Sequence, residues 1–128
     1  MKAVILLFIS IISPFLFSSC KKDVDLNITG KWIIQETFNG FGDGGDFKWH
    51  TIPDQYKRVL EFTSDGYYNE GIGSGCNGIY KVVNNEIYIT SPCGPYSFTF
   101  NYGLMPNTVI FTHMVIEGVI KEKYTRIN

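Results

Sequence analysis

The sequence lacks the excess of basic residues that proteins use to hold nucleic acids. Its 128 residues carry 11 Lys and Arg against 12 Asp and Glu, a net charge of −1. Because phosphate backbones are bound chiefly through Lys and Arg, we expect no nucleic-acid partner. Charged residues are also few, at 18%, whereas aromatic residues reach 16%. This composition is typical of a single folded domain and not of a disordered chain.

The sequence also lacks an apolar run long enough to cross a membrane. Its longest run, residues 3–17, has 15 residues and includes Pro14, whereas a membrane-spanning helix needs about 20. The run follows a basic second residue and is separated from Cys20 by two serines, which is the arrangement of a signal peptide over residues 1–19. Bulky Phe17 fits an ordinary signal cleavage before Cys20 poorly, because small residues are preferred there.

This segment resembles the lipobox of bacterial lipoproteins, a hydrophobic and then small stretch that ends in cysteine, with Phe17 as a departure. By this resemblance Cys20 is the first mature residue and carries lipid on its sulfur and amine. Two or more acyl chains anchor a protein stably where one is marginal. Residues 20–27 would then tether the protein to the outer membrane, on its periplasmic or its outer side, within the bacterial cell envelope. An uncleaved anchor and simple secretion with a free cysteine are the alternatives.

Helical periodicity is absent: no stretch of 11 or more residues repeats apolar side chains at helical spacing. Short runs rich in Ile, Val, Tyr, Phe and Thr instead alternate with turn residues, which is typical of strands. The expected strands are residues 28–37, 56–63, 67–72, 79–83, 86–90, 96–102, 108–114 and 119–127. We therefore predict an all-β fold over residues 28–128, a small eight-stranded antiparallel up-and-down β-barrel. An open sandwich of the same strands is the alternative.

Cysteine is scarce, with three in the chain. A two-residue turn at Asn84-Asn85 predicts a hairpin, and counting outward by twos from it brings Cys76 opposite Cys93. Cα atoms at such a position approach to about 4.5 Å, within the span of a disulfide. An exported protein meets an oxidising compartment, so we predict a disulfide between these two residues. Two free thiols or a metal pair are the alternatives, but neither histidine has a metal-ligand spacing to them, and we predict no metal site.

Alternation along the strands predicts which side chains face the barrel interior. The expected strand at residues 96–102 puts four aromatic rings on one face, and Trp32 with Ile34 and Leu60 with Phe62 alternate in the same way. These are core positions that could also contact a ligand if a cavity is open. The candidate ligand-binding residues are Phe62, Tyr80, Phe98, Phe100, Phe111 and His113.

A polar pair stands near the end of the chain. A turn at Glu117-Gly118 would place His113 opposite Glu122. Inside a barrel this pair could orient a polar ligand or serve in acid–base chemistry. On the outer wall, where we expect it, it would be a solvated cross-strand pair. Because no nucleophile is partnered with it, we expect a protein that is not an enzyme and that has no cofactor.

Gly30-Lys31-Trp32, at the start of the first expected strand, resembles the Gly-x-Trp signature of the lipocalin superfamily. Lipocalin barrels stack a basic side chain from near the chain end over that tryptophan, and Arg126 stands at that place. The resemblance therefore implies a barrel floor of Gly30, Trp32 and Arg126 with a cation–π contact. Over its mature length the chain is similar to small bacterial lipocalin-like lipoproteins. Val119 is a departure, since many relatives have a further cysteine there, and the chain is too short for the helix and lid of larger lipocalins.

Residues 39–50 form the longest turn-rich stretch and are predicted to be a loop at the barrel mouth. Its exposed aromatics Phe41, Phe47 and Trp49 suit contact with a partner, unless they fold back into the cavity. We predict a monomeric, membrane-anchored, non-catalytic module that binds a small apolar ligand. The alternative is an interaction or inhibitor lipoprotein that binds a partner protein through these aromatics, similar to small barrel lipoproteins that block host lysozyme. An open cavity of about 300 Å³ or more would distinguish the first from the second.

Overall fold

The computed structural model describes residues 27–71, 77–90 and 97–128. Within these ranges the chain forms nine strands and one turn of 3₁₀ helix at Asp54–Tyr56. The strands are β1 (Gly30–Phe41), β2 (Trp49–Thr51), β3 (Val59–Phe62), β4 (Tyr67–Glu70), β5 (Asn77–Val83), β6 (Glu86–Thr90), β7 (Ser97–Met105), β8 (Thr108–Val115) and β9 (Gly118–Ile127). In these parts of the chain no helix has the length and apolarity that a membrane crossing requires.

The strands close into an antiparallel up-and-down barrel. From β3 to β9 each strand pairs with the next along the chain, and β1 joins β3 on one side and β9 on the other. The short β2 pairs with β1 beyond the end of β3, at positions 36–38, and is an extra strand. Closure removes exposed edges from the sheet. The predicted all-β fold with an eight-stranded barrel is therefore confirmed, with one strand added.

Strand β1 differs most from the prediction. It was expected to end at residue 37, but it continues to Phe41 because β9 pairs with it up to Gly118. Part of the expected loop at residues 39–50 is therefore strand, and β2 pairs antiparallel with β1. A bulge between Ile34 and Glu36 also shifts the register with β9. After the bulge the inward-facing positions change from even to odd numbers, which simple alternation did not predict.

The β5–β6 hairpin has the predicted register, with Val82 opposite Ile87 and Tyr80 opposite Ile89. Its turn residue Asn84 has a φ of 55°, the left-handed conformation that asparagine tolerates. Cys76 and Cys93, which were predicted to lie opposite each other, fall outside the described residues. Cys20 and residues 1–19, the predicted signal peptide, also fall outside them.

The turn of the β8–β9 hairpin was predicted wrongly by one residue, which shifts the pairing of its strands by two. Its turn is Ile116-Glu117 and not Glu117-Gly118, so that His113 is not directly opposite Glu122. The glycine has another role: a Cβ at Gly118 would lie 2.5 Å from a backbone oxygen of β1. This glycine allows the close approach of β1 and β9 and does not form the turn.

Apolar side chains from every wall fill the barrel. The inward positions predicted for Trp32, Ile34, Leu60 and Phe62 are confirmed, since all four are buried. Phe100 and Tyr102 pack against this core as partly buried residues, whereas Tyr96 and the side chain of Phe98 lie outside the described part. The buried core consists of Ile28, Trp32, Ile34, Leu60, Phe62, Tyr68, Ile87, Ile89, Val109, Phe111 and Tyr124.

Candidate functional site

The barrel has two ends, which we name by their residues. The floor is formed by residues 27–30 and by the end of β9. Trp32 is fully buried there, and its indole Nε1 donates to the backbone oxygen of Ile28 at 2.7 Å. The Arg126 guanidinium lies 4.3 Å from the tryptophan ring centroid and donates to the backbone oxygens of Thr29 and Asn27 at 2.6 and 2.7 Å. The cation–π contact that the Gly-x-Trp resemblance implies is present.

Gly30 has a φ of +129°, and a Cβ at this position would lie 2.8 Å from Arg126 Nη1. A side chain there would strain the backbone and also displace the guanidinium. The glycine of the motif therefore leaves room for the arginine, and the tryptophan provides the ring on which the arginine stacks.

The opposite end of the barrel, where β1 meets the β8–β9 turn, is the mouth. Below it a cavity of about 40 Å³ remains inside the barrel. This volume holds a few water molecules, whereas a drug-sized apolar ligand needs roughly 300 Å³ or more. The cavity is lined by Leu60, Phe62, Tyr68, Ile89, Phe100, Phe111, His113 and Glu122.

Four of the six candidate ligand-binding residues line this cavity, namely Phe62, Phe100, Phe111 and His113. Tyr80 does not, because its hydroxyl donates to the backbone oxygen of Thr63 at 2.7 Å near the floor. Its ring packs against the core, 5.0 Å from that of Phe62. For Phe98 the structure describes only the backbone.

A charged cluster borders the cavity on the side of the mouth. Arg58, just before β3, donates through Nη2 to Glu122 Oε1 at 2.5 Å and through Nε to the Tyr124 hydroxyl at 3.0 Å. That hydroxyl in turn donates to Glu122 Oε2 at 3.1 Å. A second carboxylate, that of Glu70, lies 3.8 Å from Arg58 Nε. One guanidinium thus faces two carboxylates.

His113 lies beside this cluster and inside the barrel, so the expectation of a solvated pair on the outer wall was wrong. On β8 it shares the inward face with Phe111, and its ring meets that of Phe100 edge-on at 4.3 Å. Its Nε2 lies 3.4 Å from Glu122 Oε2. This nitrogen is nevertheless buried without a hydrogen-bond partner, because the contact lacks the alignment of a hydrogen bond.

Burial and neighbouring groups shift the pKa values of the cluster and so set its protonation states. Burial alone would raise the pKa of Glu122, but His113, Arg58 and the Tyr124 hydroxyl together hold that pKa below its ordinary value. Burial, reinforced by Glu122, raises the pKa of Tyr124, and burial with nearby Glu70 raises that of Tyr68. At neutral pH the carboxylate of Glu122 is therefore charged and both phenols are neutral.

His113 and Glu122 were predicted from the sequence as a polar pair, whereas Arg58, Tyr124 and Glu70 were not predicted as members of a site. Alternation along β9 places positions 122, 124 and 126 on one face, so Tyr124 could have been found once that face was known to point inward. Arg58 lies in an irregular segment between the 3₁₀ turn and β3. No periodicity there indicates where its side chain points.

The three loop aromatics do not form one group. Phe47 and Trp49 pack against Phe38, with ring centroids 6.5 and 5.5 Å apart. Lys123 Nζ lies 4.5 Å from the Trp49 ring centroid and Lys121 Nζ lies 5.5 Å from that of Phe38. Because Lys121 and Lys123 alternate with inward-facing Glu122, this group lies on the outer face of the barrel. We call Phe38, Phe47 and Trp49 the outer aromatic cluster.

Phe41 belongs to the other face of β1. It is three positions beyond Phe38 and pairs with Gly118, which alternation places on the same side as Glu122. Its side chain is half-buried at the mouth, whereas that of Phe47 is 59% exposed. Of the three predicted contact residues, Phe47 therefore offers the largest exposed surface.

Compared with known proteins, the chain matches no family model and no curated protein. Among residues 27–71, 77–90 and 97–128, no group of three or more His, Cys, Asp or Glu side chains could hold a metal ion. The function must therefore be inferred from the geometry of the barrel itself.

Proposed function

We propose that this protein is a non-catalytic binding lipoprotein of the bacterial cell envelope. It is anchored through lipid on Cys20 and contacts a partner protein through the outer aromatic cluster. The filled interior carries this proposal: the cavity of about 40 Å³ is far smaller than the roughly 300 Å³ that a drug-sized ligand requires. The lipocalin-like Gly30-x-Trp32 motif with Arg126 supports a binding role for the barrel.

The outer aromatic cluster has the composition and the position that a partner surface needs. Aromatic residues are enriched at interfaces and supply much of their binding energy. Here Lys121 lies over the ring of Phe38 and Lys123 over the ring of Trp49. Because these two rings are already held in place, they lose little side-chain freedom on binding. Along β1 the cluster lies roughly 25 Å from Gly30. It therefore faces away from the floor, where the tethered end of the chain enters.

Site-specific photo-crosslinking in the native host tests this surface. A crosslinking residue at position 47 is expected to capture one envelope protein, and Trp49→Ala is expected to abolish the product. Tyr67 is the matched control, since it is an aromatic residue with 52% exposure on β4. Equal products from positions 47 and 67, or a product at 47 that survives Trp49→Ala, would contradict the proposal.

The anchor has its own test. Cys20→Ser is expected to abolish incorporation of labelled fatty acid and to release the protein from the membrane fraction, because an acyl chain supplies the membrane affinity. Cys76→Ser, which leaves the lipobox intact, is the control and should retain the label. Incorporation of the label into Cys20→Ser protein would contradict the proposal, because the lipid would then be attached elsewhere.

A small apolar ligand inside the barrel is the second candidate, favoured by the aromatic lining of Phe62, Phe100 and Phe111. Native mass spectrometry of the protein purified from its own host, under non-reducing conditions, tests it. A reproducible small-molecule adduct that leaves on denaturation would support this candidate over the partner surface. The same spectrum tests the disulfide between Cys76 and Cys93, which lowers the mass by about two units.

A further inference from the structure

The outer aromatic cluster continues across the barrel wall. Phe38 and Gly40 lie on the same outer face of β1, and a Cβ at Gly40 would lie 2.9 Å from both Phe38 Cε1 and Val119 Cγ1. The ring and the methyl group therefore meet above this glycine. Val119 on β9 pairs in turn with Met114 on β8, and Met114 is 74% exposed. We call Trp49, Phe38, Val119 and Met114 the outer ridge.

The outer ridge crosses four neighbouring strands on one face of the sheet. Met114 lies on the outer face because the adjacent His113 faces the cavity. The ridge runs from β2 through β1 and β9 to β8, and the spacing of these strands gives it a width of about 14 Å. A contiguous exposed apolar patch on a folded domain marks an interaction site more often than a single exposed apolar residue does.

Phe47, at one end of the ridge, has a strained backbone. Its φ of 53° lies in the left-handed region, which a bulky residue rarely adopts. Its amide donates to the backbone oxygen of Asn39 at 3.0 Å, and its ring is 59% exposed beside Phe38. Burial therefore does not explain why an aromatic residue occupies this position. Strain of this kind is concentrated at functional sites, which supports a binding role for this end of the ridge.

A lysine without an acidic partner lies on the ridge. Lys123 forms an ion pair with Glu36. Lys121 forms no ion pair within the described part of the chain, and its Nζ lies over the Phe38 ring at 5.5 Å from the centroid. Any partner that covers this ring therefore also covers the ammonium of Lys121. Because a buried charge without a counter-charge is costly, the partner must supply an anionic group at this point.

We propose that the partner protein binds the outer ridge through an acidic segment. One carboxylate of this segment pairs with Lys121. Apolar side chains beside that carboxylate cover Phe38, Val119 and Met114. A second copy of this chain fits the ridge less well, because docking by the same face would bring two unpaired lysines together. The acidic segment belongs to the partner already proposed, so its assignment rests on the proposed function.

Photo-crosslinking of the full chain in its native host tests the extent of the ridge. A crosslinking residue at position 114 is expected to capture the same protein as one at position 47. Met105 is the matched control, since it is a methionine with 45% exposure at the floor end of β7. A product at 47 without one at 114, or capture of a second copy or of lipid alone at 114, would overturn the inference and leave the product at 47 standing. No protein product at either position would overturn the proposed function as well.

Charge substitutions test the acidic segment. Lys121→Glu is expected to lower the yield of both products by about tenfold or more, because repulsion replaces attraction. Lys121→Arg keeps the charge and should retain the yield, and Lys121→Gln gives the comparison if Lys121→Glu fails to fold. Lys31→Glu, at an exposed position opposite Glu61 near the floor, is the matched control and should change neither product. Wild-type yields in a folded Lys121→Glu or Lys121→Gln would overturn the proposal.

Mass spectrometry of the crosslinked peptides then identifies the segment. The partner stretch captured from position 114 is expected to contain Asp or Glu beside apolar residues. Replacing that acidic residue with Lys in the host should restore the product that Lys121→Glu loses, since the charges are then exchanged. A captured stretch without an acidic residue, or an exchange that restores nothing, would overturn the acidic segment and leave the partner surface itself supported by the crosslinks.

Discussion

Two arginines lie at opposite ends of the barrel, and each makes a different kind of contact. At the floor, Arg126 stacks on Trp32 and donates to backbone oxygens. Near the mouth, Arg58 donates to the carboxylate of Glu122 and to a tyrosine hydroxyl. Backbone oxygens do not titrate, whereas a carboxylate does. The contacts at the floor therefore do not depend on pH, whereas the mouth carries charges that do.

The first prediction tests whether stability is concentrated at the floor. Trp32→Ala should lower the free energy of unfolding by about 3–5 kcal/mol, because it removes a fully buried ring and leaves a cavity. Trp49→Ala, which removes a half-buried tryptophan, should cost about 1 kcal/mol. Urea unfolding followed by circular dichroism measures both. Similar losses for the two variants would show that the floor has no special role in stability.

The second prediction separates the two reasons for glycine in the Gly-x-Trp motif. Gly30 and Gly44 both have positive φ, but a Cβ at Gly30 would lie 2.8 Å from Arg126 Nη1 and one at Gly44 would meet nothing within 4 Å. We expect Gly30→Ala to cost about 2–3 kcal/mol and Gly44→Ala about 1, the backbone strain alone. If the two unfolding free energies fall equally, the contact with Arg126 does not require the glycine.

Arg126 reaches Thr29 across 97 positions of sequence, and its place over Trp32 was expected only from the resemblance to the lipocalin Gly-x-Trp motif. The register of the β5–β6 hairpin, in contrast, follows from Asn84-Asn85. Alternation identified the inward side chains of β3, of the first half of β1, and of Phe100 and Tyr102 on β7. The hairpin register and the inward positions depend on turn chemistry and short-range periodicity, which the sequence displays directly.

The mouth was less predictable because its features depend on long-range packing. Gly118 looked like a turn residue, yet it serves the close approach of β1 and β9. Arg58 reaches Glu122 across 64 positions of sequence, and no pattern in an irregular segment indicates that contact. The volume of the cavity depends on how the rings interlock, and sequence periodicity does not determine such packing.

The third prediction uses pH to contrast the two arginines. The pKa of Glu122 is lower in the folded chain than its ordinary value of 4.5, so the folded state binds this proton less readily than the unfolded state does. The resulting stability is present above the ordinary pKa and is lost as pH falls through the folded one. Glu122→Gln should therefore cost about 1–2 kcal/mol at neutral pH and less in acid.

Arg126→Met is the matched variant at the floor. Its cost should be the same at neutral and acidic pH, because the contacts it removes are with an indole ring and backbone oxygens. Urea midpoints of both variants and the wild type, measured at the two pH values, provide the comparison. A pH-independent cost for Glu122→Gln would mean that His113 and Arg58 do not lower the pKa of Glu122 in the folded chain.

The last and smallest effect concerns His113, whose loss should matter less than the loss of the Tyr124 hydroxyl. Tyr124→Phe removes a hydroxyl that joins Arg58 to Glu122 and should cost about 1 kcal/mol. His113→Phe keeps a ring against Phe100 and removes a nitrogen that makes no aligned hydrogen bond, but it also removes a group that lowers the pKa of Glu122, so the free energy of unfolding should fall by less than about 1 kcal/mol.

Urea unfolding of the same two variants measures the difference. A loss of stability in His113→Phe equal to that in Tyr124→Phe would mean that Nε2 has a bonding partner in the folded chain. Unchanged stability in His113→Phe would mean that the imidazole is not retained for stability, which is typical of side chains at functional sites.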